Sequence, residues 1–147
     1  MSRKLAREVV FRALFQLDFN FDDERRAYFE DLAINMAIET APEDGANQGS
    51  RLTKKNLAYI ESTLKGTRTH LDEIDELIAA HLKEGWQLSR IMAEDRNILR
   101  LAIYEMKFVE PALSKKIVIN EAVELAKSYG NDDSSRFVNG VLEAISD

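Results

Sequence analysis

Few residues in this chain of 147 could carry out catalysis. The sequence has no cysteine, which excludes a thiol nucleophile, and only two histidines, His70 and His81. Neither histidine lies in an ExxH or HExxH pattern, and no GxxxxGK[ST] or GxGxxG motif is present. The acids Glu121 and Glu124 are spaced i,i+3, which is more typical of a solvated helix face than of acid–base chemistry. The sequence therefore favours a binding protein over an enzyme, and it predicts neither a cofactor nor a metal site.

The residues best suited to bind a partner lie near the N-terminus. When residues 3–19 are arranged at 100° per residue, the polar half of the predicted helix carries basic side chains interleaved with Phe11, Phe15 and Phe19. Either a second helix covers these three rings, or they form a surface that binds RNA or a protein partner. Uncovered rings on this face would also allow the chain to self-associate as a homodimer.

The charge of the chain is distributed unevenly. The formal net charge of −6 argues against a general nucleic-acid binder. However, residues 1–20 carry four basic and two acidic side chains, whereas residues 21–50 carry two basic and eight acidic ones. No run approaches the roughly 20 apolar residues of a membrane span, and no signal peptide is evident. These features, with the absence of cysteine, favour a cytoplasmic protein that does not enter a membrane.

Helical periodicity along the chain predicts an all-α domain of about seven helices that covers residues 1–147. Residues 95–108 are apolar on nearly all sides, which is typical of a central helix buried by several neighbours. Arg96 and Arg100 lie on its one polar strip and are expected to act as internal braces. The run at residues 41–50 has turn residues and no periodicity, which predicts a flexible loop.

Several single residues are expected to mark helix ends or the core. Asp22 or Asp23 is predicted to cap the second helix, and Gly85 is predicted to end a fourth helix that covers residues 71–83. Trp86 is expected to be a core anchor, with a ligand platform as the alternative. Gly140 lies inside the last helix at a cost of about 1 kcal/mol relative to alanine. We therefore expect another helix to cross closely there.

Four segments of the chain occur together in a recognisable order. A basic segment, RKLAREVVFRALFQLD (3–18), precedes DRNILRLAIYEM (95–106), VINEAVELAKSYG (118–130) and SSRFVNGVLEAI (134–145). In this order and spacing they resemble the NusB family of bacterial transcription antitermination factors over nearly the whole chain. The resemblance implies an all-helical fold of seven or so helices in two small bundles.

The resemblance also implies a function and its partners. NusB-like proteins pair with NusE, a protein of the small ribosomal subunit, and bind boxA, a short single-stranded RNA element in ribosomal RNA leaders. The complex joins other Nus factors on RNA polymerase and suppresses termination. Arg3, Lys4 and Arg7 match the family's basic RNA-contacting start, and Phe137 matches an aromatic residue that meets an RNA base. The resemblance places Asp133 and Arg136 on the same RNA-facing edge as Phe137, and Lys127 is expected to bind RNA there as well. The positions that match the family's NusE-facing residues are Phe15 and Asp95.

Two of these assignments have a structural alternative. Phe137 could be an ordinary core residue at its helical spacing, and Asp95 could be an acid in the first turn of a helix. The sequence also departs from the family: Leu5 interrupts the basic run, and Ser114 stands where many relatives have proline. Since few phosphate contacts give modest, salt-sensitive affinity, we expect weak RNA binding by this chain alone.

Two alternative functions are compatible with the residues. One is a NusB-like helical adaptor in ribosomal RNA processing or ribosome assembly, without antitermination activity. The other is a purely structural helical adaptor whose basic residues are merely solvated.

Overall fold

The computed structural model describes residues 1–19, 23–41 and 52–146. In these ranges the chain forms seven α-helices, one short 3-10 helix at Leu88–Arg90 and no strand. The α-helices are α1 (Arg3–Leu17), α2 (Arg26–Glu39), α3 (Lys54–Thr69), α4 (Leu71–Ala80), α5 (Ala93–Lys107), α6 (Lys115–Tyr129) and α7 (Ser134–Ser146). The predicted all-α fold of about seven helices is confirmed. The loop predicted at 41–50 lies outside the described residues, except for its first residue.

The chain divides into two compact units, Met1–Gly66 and Thr67–Asp147. In the first unit, α1 packs along α2. The Ser2 side chain accepts a hydrogen bond from the Leu5 N–H (3.1 Å) and so caps α1. The start of α3 is tied to the N-terminus because Asn56 Nδ2 donates to the Met1 carbonyl (2.6 Å).

The second unit is organised around α5, which packs against α4, α6 and α7. Six of its apolar residues are buried, as the apolar pattern predicts: Ile98, Leu99, Leu101, Ala102, Ile103 and Met106. Three polar residues of this helix are buried as well: Asp95, Asn97 and Glu105. Arg100 donates from Nε and Nη2 to the two carboxylate oxygens of Asp75 on α4, at 2.8 and 2.9 Å. Arg96 donates to the Ile91 carbonyl at 2.9 Å. Both arginines therefore brace the fold, as expected.

Two predicted helix ends are wrong. The N-cap of α2 is Arg25, without a side-chain cap, so Asp23 does not cap the helix; Asp22 lies outside the described part of the chain. Helix α4 ends at Ala80, with His81 as its C-cap. Gly85 instead sits in a later turn with φ of +87°, a backbone conformation that favours glycine.

The expectation for Gly140 is also wrong. A Cβ built on Gly140 would meet nothing within 4 Å, so no helix crosses closely there. Gly130, the C-cap of α6, behaves in the opposite way, because its Cβ would come within 2.8 Å of the Ala126 carbonyl oxygen and would also collide with Ser134. A glycine at a helix position therefore does not by itself predict whether a neighbouring element packs closely against it.

Candidate nucleic-acid interface

The N-terminal turns of α1 present the basic end, which we define as Arg3, Lys4 and Arg7. The guanidinium carbon of Arg3 lies 3.9 Å from the centroid of the Tyr59 ring, and that of Arg7 lies 5.7 Å from it. Arg7 is only 8% exposed, whereas Lys4 is exposed to solvent. Part of this predicted RNA-contacting cluster is therefore engaged with the protein itself, through cation–π contacts.

The three phenylalanines of α1 do not share one environment. Phe11 is buried in the core, whereas Phe15 is 38% and Phe19 71% exposed. The Phe11 and Phe15 ring centroids are 6.4 Å apart. A covering helix therefore explains only the first ring, and the outer two remain available for a partner.

In the second unit, an exposed aromatic pair lies beside the last helix. The ring of Trp86 stacks on that of Phe137 with centroids 5.7 Å apart and an interplanar angle of 24°. Trp86 is 55% exposed, so the prediction of a core anchor is wrong. Phe137 is half-buried, and Val138 takes the fully buried position beside it.

This aromatic pair lines an open cavity of about 520 Å³, which we call the aromatic pocket. Its lining includes Lys83, Trp86, Asp133, Arg136, Phe137 and Gly140. Three predicted RNA-contacting residues, Asp133, Arg136 and Phe137, are thus brought together at one place. Lys127, the fourth predicted residue of this unit, lies on α6 with its Nζ 3.8 Å from Glu124 Oε1 and is not among the lining residues.

Asp95 lies in the first turn of α5 and is only 6% exposed. Burial raises the pKa of its carboxyl above the usual value of 3.8; a hydrogen bond from the Ser134 side chain partly opposes this, and Glu94 adds to it. Its Oδ1 accepts no hydrogen bond from the described residues. This environment fits the alternative of a helix-turn acid at least as well as that of a partner contact.

The two histidines have local structural contacts. His70 stacks on Phe108 at 4.6 Å and lies 3.2 Å from Glu73 Oε1, and His81 Nδ1 lies 2.8 Å from the Leu77 carbonyl. Among the described residues, no three side chains of the types that ligate metals cluster closely enough to hold an ion. None of the helices in residues 1–19, 23–41 and 52–146 has the length and apolar character needed to span a membrane.

The lining also includes residues that the sequence did not assign to the site, among them Lys83, Trp86 and Gly140. A ligand platform was only the alternative for Trp86. A glycine before a tryptophan favours a turn but does not give the direction of the ring, so the local sequence does not predict that Trp86 is exposed. Gly140 gives no such signal either, because its role depends on the open space beside α7.

The described residues define an all-α protein in which aromatic rings and cations are exposed together, a combination typical of single-stranded nucleic-acid binders. A family model described as the NusB family matches residues 4–147. The chain belongs to the NusB family, and the resemblance seen in its motifs is confirmed.

Individual relatives agree with this assignment. The chain is 40% identical over 145 residues to the transcription antitermination protein NusB of Bacillus subtilis (strain 168), covering 99% of this chain and 95% of that protein. It is 37% identical over 147 residues to the protein of the same name from Bacillus cereus (strain B4264), covering 100% and 98%.

Solved structures give the same fold. T. maritima NusB superposes with a TM-score of 0.78 at 35% identity, covering 99% of this chain and 91% of that one. A structure of the antitermination factors NusB and NusE in complex with dsRNA matches with a TM-score of 0.76 at 26% identity, covering 98% and 95%.

Proposed function

We propose that this protein is a transcription antitermination factor that binds boxA-type single-stranded RNA together with NusE and supports transcription of ribosomal RNA by RNA polymerase. The observation that carries the proposal is full-length similarity to proteins named transcription antitermination protein NusB. The similar structure of NusB and NusE with RNA supports the two partners. The role needs binding rather than catalysis, and it places the protein in the cytoplasm, with other Nus factors joining indirectly.

The aromatic pocket is the part of the protein that contacts an unpaired RNA base in this proposal. Phe137 offers a ring on which an unpaired base stacks, and the Arg136 guanidinium neutralises a phosphate beside it. Asp133 lines the same cavity and places a carboxylate there that accepts hydrogen bonds from a base edge. Lys127 adds a more distant positive charge along α6.

The basic end and the exposed phenylalanines serve the remaining contacts. Lys4 and the half-exposed Arg3 neutralise phosphates, while Arg7 mainly positions the Tyr59 ring against which Arg3 packs. Phe15 provides an apolar contact for NusE. Because Asp95 is buried, we assign it an indirect part in partner binding, through the position of the first turn of α5.

The basic end and the aromatic pocket are each expected to bind RNA weakly. Few cations face solvent at either surface, so the affinity of the chain alone for RNA is modest and falls with salt. When NusE is bound, an RNA strand can contact both proteins. Once one contact has formed, the second is favoured by a high effective concentration, so the complex binds RNA more tightly than either weak contact would alone.

The test is a titration of labelled boxA-type RNA with this protein, with and without NusE, at two salt concentrations. Three RNAs are compared: single-stranded boxA, a scrambled strand, and boxA annealed to its complement. We expect preference for single-stranded boxA, tighter binding with NusE and weaker binding at high salt. The duplex arm matters because the similar NusB–NusE structure contains dsRNA.

A matched pair of variants locates the site. Arg136→Ala removes a cation from the pocket lining, and Lys107→Ala removes one from the exposed C-terminal end of α5. We expect only Arg136→Ala to weaken boxA binding and to lower the salt slope by about 1. Equal binding of boxA and the scrambled strand in every condition would contradict the proposal. Normal boxA binding without read-through of a terminator in a transcription assay would favour the adaptor in ribosomal RNA processing.

A further inference from the structure

The turn that carries Trp86 is built to hold its ring outward. The Trp86 N–H donates to the Lys83 carbonyl at 3.0 Å, which closes a four-residue turn. Gly85 occupies the third position of this turn with φ of +87°, the position at which such turns require a positive φ. The turn therefore fixes the backbone position from which the indole projects.

The Trp86 indole stacks on Phe137 but stays largely exposed to solvent. Phe137 covers one side of the ring at a centroid distance of 5.7 Å, yet 55% of the residue remains exposed. A large aromatic ring that stays in solvent forgoes the free energy of burial, so its exposure indicates a binding role for the residue. The stacked pair extends the single ring of Phe137 into a two-ring platform.

Gly140 keeps the space beside this platform empty. It lines the aromatic pocket, and a Cβ placed on it would meet nothing within 4 Å. Any longer side chain at this helical position would project into the cavity. The volume of about 520 Å³ lies in the range of about 300–1,000 Å³ that is usual for small-ligand pockets.

The charged residues of the lining favour an anionic ligand. Lys83 and Arg136 are exposed, and neither side chain forms a hydrogen bond or an ion pair with any residue that the structure describes. They outnumber the single carboxylate of the lining, Asp133. An exposed aromatic ring beside two cations without partners matches the chemistry of a nucleotide, whose base stacks and whose phosphate is negative.

We propose that Trp86 is a further RNA-binding residue, and that the cavity between its ring and Gly140 receives one unpaired nucleobase whose phosphate lies near Lys83 and Arg136. The inference rests on the proposed function. It adds Trp86, Lys83 and the open position at Gly140 to the RNA-contacting residues assigned above. Base stacking is sequence-tolerant, so the pocket contributes affinity for any unpaired strand more than preference among sequences.

Trp86 is the only tryptophan in the sequence, so intrinsic fluorescence reports on the pocket directly. We expect single-stranded RNA to quench this fluorescence, in parallel with binding measured independently through the anisotropy of labelled RNA. NusE added without RNA should leave the emission of Trp86 unchanged. Quenching by NusE alone, with none on adding RNA, would overturn the proposal in favour of a protein ligand at the pocket.

Variants test the same point by affinity. Removal of a stacking ring weakens single-stranded binding roughly ten-fold or more, and we expect this for Trp86→Leu, whereas Trp86→Phe retains most of the affinity. The salt slope should not change in Trp86→Leu, because no phosphate contact is removed. Gly140→Leu should weaken binding by filling the cavity, with Gly140→Ala as the matched control that leaves it open.

The outcomes separate this inference from the proposed function. If the protein prefers boxA, but RNA does not quench Trp86 and Trp86→Leu keeps full affinity, the role of Trp86 is refuted and the proposed function stands. Equal affinity for boxA and scrambled strands, with quenching of Trp86 by both, would overturn boxA recognition and leave the pocket intact. Failure to bind any single-stranded RNA, with or without NusE, would overturn both.

Discussion

The basic end of α1 and the aromatic pocket contain similar residues in opposite arrangements. At the basic end the arginines lie against the ring of Tyr59, and Arg7 is nearly buried. At the pocket the ring of Trp86 is held in solvent, and the Arg136 side chain has no partner among the described residues. The comparison teaches that residue type alone does not identify a binding site; what matters is whether the fold already satisfies the side chain.

The largest expected effect concerns a cation that the fold satisfies fully. Arg100→Ala removes the bidentate ion pair with Asp75. In the intact pair the Arg100 side chain is 12% exposed and the Asp75 side chain 23%. We expect a loss of about 2–3 kcal/mol in the free energy of unfolding, somewhat below the cost of breaking a fully buried pair. Arg136→Ala, the exposed counterpart in the same unit, should change stability by less than about 0.5 kcal/mol. Urea denaturation measures both, and similar losses would refute the distinction.

The second test compares two glycines, one with close neighbours where a Cβ would lie and one with open space there. Gly130→Ala would force a Cβ against Ser134 and the Ala126 carbonyl, so we expect a loss of about 1–3 kcal/mol. Gly140→Ala meets no neighbour and removes a helix-interior glycine, so we expect a gain of about 0.5–1 kcal/mol. Thermal unfolding gives the sign of each change. A loss on Gly140→Ala would mean that the pocket beside it is not open.

The third test lies within the basic end. Arg7→Ala removes a nearly buried side chain that lies over Tyr59, and we expect a loss of about 1 kcal/mol. Lys4→Ala removes an exposed lysine of the same turn and should leave stability unchanged while weakening RNA binding. Chemical denaturation and RNA titration of the two variants separate these roles. A stable Arg7→Ala with weakened RNA binding would show that Arg7 faces the RNA instead.

The smallest effect should appear as a pH dependence. Burial raises the pKa of Asp95 in the folded protein, so above that pKa the ionised carboxylate disfavours the folded state. Asp95→Asn should therefore be more stable than the wild type at neutral pH. The difference should shrink as pH falls through the folded pKa and vanish below the ordinary value of 3.8. Denaturation across this range is the measurement, and a difference that is constant with pH would contradict the assignment.

Most of the fold could be predicted because its signals are local. The apolar residues of α5 recur at helical spacing, which predicts a helix buried by several neighbours. The ends of α2 and α4 were misplaced, since acids and glycines near a helix end are permissive signals without a unique position.

The pocket could be predicted only in part because it depends on residues far apart in sequence. Asp133, Arg136 and Phe137 come from one stretch and were found together. Trp86 stands about fifty positions earlier, and no local pattern shows that its ring meets Phe137. The alternatives for the phenylalanines of α1 likewise needed the structure, because helical spacing does not reveal how far a covering helix extends.

The bond between Asp75 and Arg100 has a further consequence for Trp86. By joining α4 to α5, it fixes both ends of the connecting segment, so the conformations open to residues 81–92 are limited before any ligand arrives. Ordering a flexible side chain on binding costs about 0.5–1.5 kcal/mol, and a ring on a short, anchored connection has already lost much of that freedom. A salt bridge whose residues do not line the pocket would thus raise the affinity of the pocket for its ligand.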